Sequence, residues 1–113
     1  MRVVVTDRKY PDEDHFSDVV EAAGGEIHFG DYETHEAVIE GCRDADVVIC
    51  SKAPITQEVV EAMSDGELIL RLGTGFDNVD VRAATEQGIP VSNVPIYCTQ
   101  EVGEHAVTLM LAA

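Results

Sequence analysis

Short, purely apolar runs alternate along this chain with stretches in which apolar residues recur every three or four positions. Val3-Val4-Val5 reads as a buried strand that ends at Thr6-Asp7. Residues 11–23 read as a helix, with Phe16, Val19, Val20 and Ala23 on one face and acids opposite. Pro11 near its start and Gly24-Gly25 at its end are fitting punctuation. Residues 26–29 are a second short strand, and residues 34–41 a short helix with Thr34 as N-cap. Residues 46–50 form a third strand, apolar on both faces, followed by a helix over 56–63 capped by Thr56. A fourth strand covers 68–72, a helix 80–87 ends at Gly88, and a fifth strand covers 90–93. A last helix starts near Thr99, which can cap it, and runs to the final residue.

Strands that read as continuous apolar runs and alternate with helices imply a parallel sheet covered on both faces. Five such units in 113 residues match an α/β fold of the flavodoxin-like, doubly wound type, with a five-stranded parallel sheet. Ligands of such sheets collect beyond the carboxyl ends of the strands. That directs attention to Thr6–Tyr10, Ser51–Pro54, Gly73–Asn78 and Val94–Thr99. The last helix is unusual: from Val102 to Ala113 it is nearly all apolar and has no terminal Gly, Lys or Arg. Such a helix packs against more than one layer, so the expectation is a further domain or a partner chain beyond it.

Charge narrows the function classes. The chain carries 22 acidic and 7 basic side chains, a net charge of −15. Nucleic acid and anionic membrane surfaces are excluded as partners, since both need clustered Lys and Arg. The acids are spread through the chain and describe a charged shell of the kind halophilic proteins use. An ordinary acidic cytosolic domain is the plainer alternative. Cys42, Cys50 and Cys98 have no paired spacing, and the start MRVVVTD lacks a secretory signal's apolar core, so reduced thiols in a cytoplasm are expected. His15, His28, His35 and His105 show no metal-ligand spacing, and no metal is expected.

Against that acidic background a few places invite an anion. Gly73-Thr74-Gly75-Phe76-Asp77-Asn78 follows a strand directly, and its glycines let backbone N–H groups face a crevice, as suits a carboxylate or phosphate. It is a poor match to a dinucleotide fingerprint, because no long helix follows. A tight turn with Asp77 or Asn78 capping the next helix explains it equally well. Lys52, in Ser51-Lys52-Ala53, is one of two lysines and sits where ligands bind; a plain surface lysine is the other reading. Cys98 lacks an evident basic partner and reads as an inert thiol. Glu104 and His105 are adjacent on a helix and do not face each other, so packing or exposure explains them better than acid–base work.

Residues 70–112, LRLGTGFDNVDVRAATEQGIPVSNVPIYCTQEVGEHAVTLMLA, resemble the D-isomer-specific 2-hydroxyacid dehydrogenases. That family includes phosphoglycerate, glycerate and glyoxylate/hydroxypyruvate enzymes, formate dehydrogenases and the C-terminal-binding-protein corepressors. Its linked blocks appear here as Gly73–Asn78, Ala84–Val91, Asn93–Pro95 and Val102–His105, with YCTQEV leaning toward the corepressor-like subgroup. Gly103 departs from the family's usual Ala, at a cost of about 1 kcal/mol to the helix.

The resemblance implies two domains: a substrate-binding domain over residues 1–98, and, from 99–113, the start of a crossover helix into a Rossmann NAD-binding domain outside this sequence. Thr74 and Gly75 N–H groups, following Gly73, would hold the substrate carboxylate. Ser51, Lys52 and Ala53 would line the substrate mouth. Arg71 would assist an anionic substrate or form an internal ion pair. Tyr97, Cys98 and Thr99 would lie near the nicotinamide of NAD or NADP. The family's catalytic Arg, Glu and His have no counterpart here, so no catalytic residue is expected in this chain. The implied activity is hydride exchange with a small 2-oxo or 2-hydroxy carboxylic acid by an intact cytoplasmic homodimer, with this chain alone inactive. The alternative is a corepressor-like protein of the same fold that senses NADH.

Overall fold

The computed structural model describes residues 1–7 and 13–113. Five strands are β1 (Arg2–Val5), β2 (Glu26–Phe29), β3 (Val47–Cys50), β4 (Leu68–Arg71) and β5 (Val91–Ser92). Between and after them lie α1 (Glu13–Ala22), α2 (His35–Gly41), α3 (Gln57–Ala62), α4 (Val81–Glu86) and α5 (Thr99–Ala112). The strands join in the order β2-β1-β3-β4-β5, and every pair is parallel. This is the flavodoxin-like order, with its reversal between β1 and β3.

Alternation along each strand divides the core in two. Val4, Val48, Cys50 and Ile69 face α2, α3 and α4, where Val38, Val59, Val60, Ala83 and Ala84 are buried against them. Val3, Val5 and Ile49 face the other way, toward Val20 and Phe16 of α1. The apolar face expected for α1 is narrower than its periodicity suggests. Phe16 and Val20 pack inward, whereas Val19 is 60% exposed and Ala23 is exposed. Among its described side chains, Phe16 and Val20, one helical turn apart, are the apolar ones that reach the sheet. Pro11 lies outside the described residues.

The caps follow their chemistry with three corrections. Thr34 caps α2, its hydroxyl accepting from Ala37 N–H. Thr56 precedes α3 but makes no side-chain cap, because its hydroxyl donates to Glu58 instead, at 2.7 Å. Asp80, not Asp77 or Asn78, caps α4 by accepting from Ala83 N–H at 2.9 Å. Cys98, not Thr99, is the N-cap residue of α5, and it makes no capping bond. The expected fifth strand is cut to two residues because Asn93 and Val94 leave the ladder for the glycine turn after β4.

α5 stands apart. None of its residues is buried, and Val102, Val107, Leu109, Met110 and Leu111 are all more than half exposed. The molecule measures 51 × 31 × 25 Å, elongated as a 14-residue helix of about 21 Å would make it. No helix among the described residues is long and apolar enough to cross a membrane.

Candidate anion-binding site at the carboxyl edge of the sheet

Three strands, β1, β3 and β4, deliver their carboxyl ends to one edge, and the connections there are stitched together. Asp7 lies two residues beyond the end of β1. Its carboxylate accepts from the backbone N–H groups of Ser51 at 2.8 Å, Lys52 at 3.2 Å and Ala53 at 3.0 Å. The Thr6 hydroxyl also donates to it, at 2.9 Å. Burial alone would push the Asp7 carboxyl up. The bonds from Ser51, Thr6, Ala53 and Lys52 outweigh burial and hold it below the usual carboxylate range.

Asn78 holds the same loop from the opposite side. Its amide donates to the carbonyl of Ala53 at 2.9 Å and, more weakly, to that of Ser51 at 3.5 Å. Ile55 N–H donates to Asn78 O, Asp80 N–H donates to Ile55 O, and Ile55 and Val79 form a parallel bridge. The loop after β3 and the turn after β4 are thus one framework. The turn is pinned on its far side too. Val94 N–H donates to Gly73 O, Asn93 to Thr74 O at 2.7 Å, and the Thr74 hydroxyl to Val94 O at 3.1 Å.

The turn itself leaves a run of donors over: among the described residues no backbone N–H from Thr74 to Asn78 finds an acceptor. Thr74 and Gly75 come first in that run, and both residues are exposed. The backbone conformation favours glycine at position 73, and a side chain there would displace the end of Arg71. The φ of Gly73 is +152°, and a Cβ there would lie 1.6 Å from Nη1 of Arg71. The guanidinium of Arg71 therefore lies across Gly73, beside the free N–H groups.

Charge is unusually arranged here. Among the described residues Arg43 pairs with Glu40, Arg82 with Glu86, and Arg2 donates to the carbonyls of Gly41 and Arg43. Lys52 and Arg71 have no carboxylate partner among them, and Nε of Arg71 is buried without an acceptor. Among the described residues Arg71 makes no internal ion pair, the other reading of that residue. In a chain of net charge −15, Lys52 and Arg71, without a carboxylate partner among the described residues, belong to connections on the same edge.

Other sequence candidates fall elsewhere. Tyr97, Cys98 and Thr99 are together at the head of α5; Tyr97 lines a cavity of about 260 Å³ with Phe16, Leu72, Gly73 and Val94. Cys98 is half-buried, whereas burial pushes the thiols of Cys42 and Cys50 up to about 12. Glu104 accepts from Gln100 and does not meet His105, which is exposed. Among the described residues no three His, Cys, Asp or Glu side chains converge as a metal would need. Asp7 and Asn78 escaped sequence reasoning as loop holders. The available signal was an acid at the carboxyl end of β1, next to β3 in this sheet order.

The model of the D-isomer specific 2-hydroxyacid dehydrogenase catalytic domain matches residues 3–108. This chain belongs to that family. It is 43% identical over 76 residues to a hydroxypyruvate reductase of Blautia hydrogenotrophica, covering 67% of this chain and 24% of that protein. Against a D-3-phosphoglycerate dehydrogenase of Methanocaldococcus jannaschii it is 38% identical over 114 aligned positions, covering 100% of this chain and 21% of the relative. The chain thus spans about a quarter or less of these relatives. Among solved structures, the NAD+-bound 3-phosphoglycerate dehydrogenase of Entamoeba histolytica superposes with a TM-score of 0.74 at 34% identity, over 82% of this chain and 32% of that one. A Thermus thermophilus protein superposes with a TM-score of 0.85 at 29% identity, over 99% of this chain and 36% of that one.

Proposed function

We propose that this family member is the substrate-binding part of an NAD(P)-dependent D-2-hydroxyacid dehydrogenase of the phosphoglycerate or glyoxylate/hydroxypyruvate type. Its task is to hold the carboxylate of a small 2-oxo or 2-hydroxy acid. The observation that carries this reading is that Lys52, Arg71 and the unpaired N–H groups of the Thr74–Asn78 turn, Thr74 and Gly75 first among them, all belong to the ends of β3 and β4 at one edge. Such donors gain most from an anion, since charge-assisted hydrogen bonds are about twice as strong as neutral ones. Ser51 and Ala53 belong to the site as parts of the loop that presents Lys52, and their N–H groups are spent on Asp7.

The glycine turn suits a carboxylate better than a dinucleotide: it leads through Asp77 and Asn78 into the six-residue α4, which Asp80 already caps. Tyr97, Cys98 and Thr99 offer only an edge, at the head of α5, toward a nicotinamide held elsewhere. Residues 1–98 make the domain in this reading, and residues 99–113 lead out of it.

The test is a titration of this chain with oxalate, an unreactive double of a 2-oxo acid, followed through backbone amide resonances. Saturable shifts at Thr74, Gly75 and Lys52 are expected, weakened at least tenfold by Lys52→Ala combined with Arg71→Ala. Shifts that ignore those substitutions would overturn the site. The chain alone should not oxidise NADH with glyoxylate or hydroxypyruvate, whereas the intact polypeptide should. Cofactor binding by the intact polypeptide without turnover would favour the NADH-sensing alternative.

A further inference from the structure

Asp7 is the unexpected member of the site. Three successive N–H groups, those of Ser51, Lys52 and Ala53, converge on one point beyond the sheet. Such a concave run of amides is an anion cradle. Here the anion is built in: the carboxylate of Asp7 fills it, 44 to 46 residues away in sequence. Nothing local in the loop holds the three amides together. Asn78 restrains the carbonyls of the same loop, but leaves the N–H groups to Asp7.

We propose that Asp7 is a positioning residue, a resident anion that sets the Ser51–Ala53 loop and through it aims Lys52 at the incoming ligand. The inference rests on the anion site described above and adds a residue that does not touch the ligand. Occupation by Asp7 also closes this cradle to external anions. The ligand carboxylate is left to Lys52, Arg71 and the Thr74–Gly75 amides.

A built-in anion can be removed and replaced from solution. In Asp7→Gly the amides of Ser51, Lys52 and Ala53 should exchange with deuterium at least tenfold faster than in the wild type. Oxalate should bind at least fivefold more weakly. Formate, small enough to enter the vacated cradle, should restore protection to those three amides in Asp7→Gly and leave the wild type unchanged. Asp7→Asn keeps an acceptor oxygen without the charge and should fall between the two. It also serves if Asp7→Gly does not fold.

In the intact polypeptide, Asp7→Asn should raise KM for the 2-oxo acid several-fold with kcat nearly unchanged. Unaltered exchange at residues 51–53 in both variants would overturn the inference. So would faster exchange with unaltered oxalate affinity. If the wild type binds no oxalate, the reading of the anion site fails instead. The exchange and formate arms then still decide whether Asp7 holds the loop.

Discussion

The two faces of the sheet are built to different standards. On one, the helices α2, α3 and α4 close over a continuous core in which Val4, Val48, Cys50, Val59, Val60, Met63 and Ile69 are wholly removed from solvent. On the other, among the described residues, α1 is the one helix packed against Val3, Val5 and Ile49, and Ile27, Phe29, Val47, Leu70 and Leu72 remain half-buried. α5, the remaining helix that a doubly wound fold could place there, buries none of its residues. The anion site lies at the edge where the two faces meet: Arg71 is the cross-strand neighbour of Cys50 on the closed side, where the Ile55–Val79 bridge closes the core, and Gly73 lines a cavity with Phe16 and Leu72 of the open side. Rigid packing lies under Arg71, whereas the looser face reaches the glycine turn at Gly73.

Neighbouring residues of β4 put this contrast to the sharpest trial. Ile69 points into the closed face and Leu70 into the open one. Ile69→Ala should cost about 2–5 kcal/mol, as wholly buried aliphatic truncations do. Leu70→Ala should cost distinctly less, because its site is already partly wet. Urea denaturation of the two variants measures the difference, and equal losses would abolish the distinction between faces.

Two glycines extend the comparison to smaller effects. Gly73→Ala forces a Cβ into the left-handed region and against Arg71, at a cost of about 1–3 kcal/mol together with loss of oxalate binding. Gly103→Ala meets nothing within 4 Å on α5 and should stabilise that helix by up to about 1 kcal/mol. Thermal melts of both variants should therefore move in opposite directions. The thiols give the mildest probe. At pH 8 one equivalent, Cys98, should react promptly with a disulfide reagent. Cys42 and Cys50, buried in the closed face with thiols near 12, should stay silent until the core unfolds. Prompt reaction of all three would show that the closed face opens freely.

Much of the architecture could be read from the chain because its determinants are local. Runs such as Val47–Cys50 are apolar on both faces and admit little but a buried strand, and Thr34 acts on an amide three residues away. The rule that ligands gather at carboxyl ends of strands singles out the Lys52 loop and the glycine turn, which follow β3 and β4 as the apolar runs predict. What escaped was non-local. Asp7 works on amides more than 40 positions distant, and Asn78, which looked like a helix cap, is a clamp on another loop. The thin apolar face of α1 escaped for a related reason. Periodicity shows which residues could face a sheet, but the tilt and reach of the helix decide that Phe16 and Val20 do so while Val19 does not.

The double stitching of the loops after β3 and β4 has a consequence for anyone who would transplant this site. Residues 51–80 run without a break from the Lys52 loop through α3 and β4 to Asn78 and the cap of α4. A graft of that one stretch would carry Lys52, Arg71, the Gly73–Gly75 turn and the Asn78 clamp as a single cassette. It would leave behind Asp7, which the cassette borrows from β1, and Asn93, which steadies its turn from β5. A recipient sheet must therefore already present an acid at the end of the neighbouring strand, or the grafted loop arrives with its N–H groups empty.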